Sequence, residues 1–101
     1  MDVRKELVSL VEPLIEKTAA GNIRWEQLDP TSFIVGTPDG TLVAVYVRGE
    51  PALVLYDKNS VELGRITPND SIDLYDLYEA ARAKALKIDE TLSRMRKALG
   101  L

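Results

Sequence analysis

The sequence contains neither cysteine nor histidine. Without thiols there is no disulfide, no thiol nucleophile and no cysteine-ligated zinc, and without imidazole there is no histidine general base and no His-ligated haem. Long hydrophobic runs are missing too. The longest unbroken apolar stretch, residues 42–47, has six residues, far short of the ~20 that span a bilayer as a helix. Residues 1–10 set Asp2, Arg4, Lys5 and Glu6 among their apolar positions, which leaves no uncharged core for a secretory signal. The expectation is a cytoplasmic protein that does not engage a membrane.

What is present describes one small domain over residues 1–101. Of these, 46% are apolar and 29% charged, enough for a single core at this length. Charge is unevenly placed. Residues 1–79 carry 7 Lys/Arg against 14 Asp/Glu, a net of −7, whereas residues 80–101 carry 6 against 2, a net of +4. The basic surface of Arg82, Lys84, Lys87, Arg94, Arg96 and Lys97 could meet nucleic acid or an acidic partner. The preferred reading is a solvated helix face whose cations suit the negative end of the helix dipole. No aromatic residue is interleaved with these cations, so the stacking expected of a nucleic-acid binder is missing.

Apolar residues at Val3, Leu7, Leu10, Val11, Leu14 and Ile15 recur at helical spacing, which predicts a helix over 3–19, kinked at Pro13 and ended by Gly21-Asn22. The stretch from 22 to 67 is rich in β-branched residues. It is cut by turn signals at Thr37-Pro38-Asp39-Gly40, Arg48-Gly49-Glu50-Pro51 and Asp57-Lys58-Asn59-Ser60. An antiparallel meander of four to five strands is expected, near 23–28, 32–36, 41–48, 52–57 and 60–66. After Thr67-Pro68-Asn69-Asp70 the helical pattern returns, with Leu74, Leu77, Tyr78, Ala81 and Ala85 as its buried stripe. Residues 71–99 contain no Gly or Pro, so one continuous helix of about 43 Å is open. The preferred reading breaks it at Lys87-Ile88 and caps a short final helix with Asp89. The fold class is therefore α+β, with a helix, a meander and a C-terminal helix or helix pair.

Turn geometry assigns the faces of the sheet. A three-residue loop with a left-handed Gly40, followed by two-residue turns at Gly49-Glu50 and Lys58-Asn59, places Phe33, Val35, Val43, Val45, Val47, Val54, Tyr56, Val61 and Leu63 on one face, the expected core face. The other face then collects Ile34, Leu42, Ala44, Tyr46, Leu53 and Leu55, with Glu62 and Gly64 towards one edge. A second apolar face needs a cover, supplied by another element of the chain or by another chain.

The run Leu77-Tyr78-Glu79-Ala80-Ala81-Arg82-Ala83-Lys84-Ala85-Leu86-Lys87-Ile88-Asp89-Glu90-Thr91-Leu92 resembles the C-terminal part of short, uncharacterised bacterial α+β domains. Leu-Tyr, Ala-Arg, Ala-Leu and Asp-Glu pairs recur there in a similar order, and the segment from Gly21 to Trp25 is similar as well. The resemblance implies a helix, a meander and two helices, and no activity. It departs at Lys87, where such domains often carry Gly.

Candidate chemistry is sparse. Asp70, Asp73 and Asp76 recur every three residues but lack the Gly turn and terminal bidentate acid of a calcium loop, and read as a solvated acidic first turn. The glycines form no phosphate-cradling motif. Ser9, Ser32, Ser60, Ser71 and Ser93 fall at surface, edge, turn or cap positions. Trp25 reads as a strand residue packed under a helix. Tyr46 has the better claim to an interface, and Tyr75 and Tyr78 read as packing residues with hydroxyls that reach water. The expected function is a non-enzymatic protein-interaction module, an adaptor, inhibitor or accessory protein. It would act through Ile34, Leu42, Ala44, Tyr46, Leu53 and Leu55 on a protein partner or on itself as a homodimer, with no cofactor and no metal. The alternatives are a nucleic-acid-associated regulator using the basic tail and, behind it, a small-ligand binder.

Overall fold

A computed structural model describes residues 1–101. Helix α1 (Val3–Ala19) leads into five strands, β1 (Glu26–Asp29), β2 (Ser32–Thr37), β3 (Gly40–Val47), β4 (Glu50–Asp57) and β5 (Glu62–Ile66). Helices α2 (Leu74–Ala85) and α3 (Ile88–Leu99) follow. The strands form one antiparallel sheet in sequence order. The α+β class, the meander and the pair of C-terminal helices are as the sequence pattern implies.

Local chemistry explains the ends of α1. The Asp2 carboxylate accepts from the Lys5 N–H at 3.4 Å at the N-terminus. At the other end Gly21 turns left-handed at φ 80, so that the Gly21 N–H donates to Thr18 and the Asn22 N–H to Lys17, a Schellman closure. The helix passes through Pro13 without splitting.

The hairpin loops differ from those the sequence predicts, and the differences decide the faces. Thr37 pairs with Gly40 across a two-residue loop, Pro38-Asp39, and the Thr37 hydroxyl accepts from the Asp39 N–H and donates to the Gly40 carbonyl. Gly40 is not left-handed; a Cβ there would lie 2.6 Å from the Tyr56 carbonyl oxygen. In the next hairpin the loop residues are Arg48 and Gly49, at φ 54 and 83, the two positive values of a type I′ turn. The third loop has three residues. The Asp57 N–H donates to the Val61 carbonyl, Ser60 is left-handed, and the Asp57 carboxylate accepts from the N–H groups of Asn59 and Val61. A bulge at Leu63 follows.

The sheet's helix-facing side therefore comprises Phe33, Val35, Leu42, Ala44, Tyr46, Leu53, Leu55 and Ile66. Both α1 and α2 pack on it, α1 over β5 and α2 across the strands from β1 to β4. They contribute Leu7 and Val11, and Leu74, Leu77, Tyr78 and Ala81, to one cluster of 11 buried residues. Gly64 lets α1 approach, because a Cβ there would fall within 2.5 Å of the Val3 side chain.

Helix α2 begins at Leu74, later than the Pro68-Asp70 start expected. The Asp70 carboxylate is used in the preceding turn, where it accepts from the Thr67 N–H at 3.0 Å. The break between α2 and α3 falls at Lys87, which is left-handed at φ 53 and ψ 44. Asp89 does not cap α3 with its side chain; it lies in the first turn, where its charge complements the helix dipole. The molecule measures 54 × 28 × 25 Å. Helix α3 has no buried residue and packs chiefly on α2.

Candidate interaction surface

Strand alternation places Ile34, Val43, Val45, Ala52, Val54 and Tyr56 on the side of the sheet away from the helices. Val43, Ala52 and Val54 are buried yet lie outside the helix-packed cluster. Their cover is cross-strand: Val54 sits between Val43 and Arg65, and β-branched side chains shield one another well on a pleated surface. Ile34, Val45 and Tyr56 are half-exposed. Together with Leu28, which is 58% exposed, they line a trough of about 440 Å³. The sheet does carry two apolar faces, as expected, with Phe33 and Val35 on the core side and Ile34 on the other, but β3 and β4 present the opposite residues to those expected.

The exchange corrects the candidate site. Of the six residues assigned to a partner surface, Leu42, Ala44, Tyr46, Leu53 and Leu55 lie on the helix side, where Leu42, Tyr46 and Leu55 remain partly exposed, and only Ile34 is on the open side. Leu53 is fully buried. Tyr46 stacks edge-on against Tyr78 with ring centroids 4.4 Å apart. The reading failed in β2, where a loop one residue too long paired Val35 with Val43; the structure pairs Val35 with Leu42, which moves Phe33 and Val35 to the side of Leu42 and Ala44. In β4 the register also moves, by two, which leaves the faces unchanged. One signal in the sequence could have found the helix side: Ala44 and Gly64 are small where helices must come close, while Ser32, Thr41, Glu62 and Arg65 are polar on the other face.

Acidic groups fringe the open side. Glu26 opposes Ile34, and Glu50 opposes Val47 at the far end. Asp29 lies at the trough's rim. The Thr31 backbone N–H bonds the Asp29 carboxylate at 2.9 Å, and with the Ser32 hydroxyl it holds that carboxyl below its usual range. Glu62 is lowered by its two-point bond from the Arg65 guanidinium.

The second exposed feature is α3. Leu92, Met95 and Leu99 are 43%, 51% and 64% exposed and, with Ile88, recur at four- and three-residue spacing along one side. The six basic residues of the tail, Arg82, Lys84, Lys87, Arg94, Arg96 and Lys97, are all exposed. Glu90 lies 3.8 Å from Arg94.

No group of His, Cys, Asp or Glu is placed to hold a metal ion. Every buried side-chain nitrogen and oxygen has a hydrogen-bond partner. Asp76 on α2 is exposed, as is Asp73 at its N-cap position, whose side chain makes no capping bond. Trp25 and Tyr78, by contrast, are structural: the indole N–H donates to the Thr18 hydroxyl, and the Tyr78 hydroxyl, expected in water, donates to the Thr31 carbonyl at 3.0 Å. No helix is long and apolar enough to cross a membrane. The chain matches no protein-family model, no curated protein and no solved structure.

Proposed function

We propose that the protein is a non-enzymatic protein-interaction module whose contact surface is the open face of the sheet. The observation that supports this reading is the half-exposed apolar floor of the trough, Ile34, Val45 and Tyr56, on a sheet whose other face the chain covers with two helices. The lack of Cys and His removes thiol and imidazole chemistry from the chain. The test is photo-crosslinking in living cells with benzoylphenylalanine in place of Tyr56. A discrete covalent adduct with a polypeptide is the expected result. Absence of any adduct, with the protein folded and expressed, overturns the proposal.

A further inference from the structure

We infer that the occupant of the open face is helix α3 of a second copy of this chain, in a reciprocal dimer. The inference rests on the open face being an interaction surface and names its partner.

Three observations converge. First, α3 has no buried residue although its apolar residues form one stripe. A helix of 12 residues is marginal in water without tertiary packing, and within its own chain α3 packs chiefly on α2, with its apolar stripe left exposed. Second, the sizes are compatible: α3 is about 18 Å long, and the eight-residue strands β3 and β4 that carry the face run about 26 Å. Third, the charges are complementary. Residues 87–101, which bear α3, carry four Lys/Arg against Asp89 and Glu90, a net of +2, while on the open face Arg65 is paired with Glu62, and Glu26, Asp29 and Glu50 have no ion-pair partner within 4.0 Å.

Pairing of α3 with α3 is the competing arrangement. It offers four apolar residues per helix over fewer than two heptads, whereas a self-sufficient coiled coil needs at least about three. Exchange of α3 between two sheets makes the same helix-on-sheet contact twice around a two-fold axis.

The test measures the mass of the full-length protein by sedimentation equilibrium over a concentration series. Leu92→Glu alters the α3 stripe, and Val45→Arg alters the open face. Thr41→Arg, at a half-exposed position lining the same trough, serves if Val45→Arg fails to fold by circular dichroism. The wild-type chain is expected to dimerise, and each variant to do so at least about tenfold more weakly. An equimolar mixture of the two kinds of variant recovers heterodimer, because α3 of the sheet variant meets the intact face of the α3 variant. A Leu92→Glu monomer beside fully dimeric sheet variants establishes helix–helix pairing and overturns the inference. So does a wild type that stays monomeric at every concentration. If that monomer still forms a crosslink from position 56 to a different polypeptide, only the second-copy occupant fails. If it forms none, the interaction reading fails with it.

Discussion

The indole N–H of Trp25 donates to the hydroxyl of Thr18 at 2.9 Å, and both residues are buried. This bond ties the last turn of α1 to the segment that enters the sheet. It is a buried hydrogen bond between side chains, and the only Trp of the chain reports on it.

Thr18→Val keeps the shape of the side chain and removes the acceptor, leaving a buried indole N–H unpartnered. The expected loss is about 1–3 kcal/mol. Urea unfolding followed by Trp25 fluorescence measures it, and Thr18→Ser, which restores the acceptor, should recover most of the loss.

Gly40 and Gly49 answer differently to substitution because they are glycine for different reasons. At Gly40 a Cβ meets the backbone oxygen of Tyr56 at 2.6 Å, whereas at Gly49 there is open space and φ is +83. Gly40→Ala should cost about 1–3 kcal/mol through overpacking, and Gly40→Asn should be no better. Gly49→Ala should cost about 1–2 kcal/mol, and Gly49→Asn should regain part of that, because Asn tolerates the left-handed region. Thermal melts of the four variants check the pattern.

Acid should destabilise the fold through Asp29 and Glu62. The Thr31 N–H on Asp29, and the Arg65 guanidinium on Glu62, lower both carboxyls below their ordinary values. A lowered folded-state value means that the contribution is present above the unfolded value and is lost as pH falls through the folded one. Burial raises Tyr78 above 10.0, so its contribution is present below the unfolded value and is lost as pH rises through the folded one. Urea midpoints should therefore fall below about pH 4 and again above about pH 10. Asp29→Asn should flatten the acid limb, and Tyr78→Phe the alkaline limb.

Much of the architecture was legible because its signals are local. The 3–4 spacing of Leu7, Val11, Leu74, Leu77, Tyr78 and Ala81 marks helix faces, and those residues fill the core. Turn residues mark the hairpins. Faces were harder, because a strand's side chains invert with every residue of register and both sides of this sheet are apolar. Thr37-Pro38-Asp39-Gly40 fits either a two- or a three-residue loop. The structure closes it with two residues, the Thr37 hydroxyl bonding the Asp39 N–H and the Gly40 carbonyl. Asp70 was misread for a similar reason: a carboxylate before a helix can serve the turn or the helix, and here it serves Thr67.

A single backbone conformation at Lys87 decides what the last twelve residues of helix can do. From Leu74 to Leu99 the apolar positions form one uninterrupted ribbon in the sequence, and an unbroken helix would carry it forward as a single surface. The left-handed residue divides that ribbon between two destinations. Its first half, at Leu74, Leu77, Tyr78 and Ala81, is spent inside the molecule, while its second half, at Leu92, Met95 and Leu99, is offered outside. The direction in which this protein reaches is written in two dihedral angles.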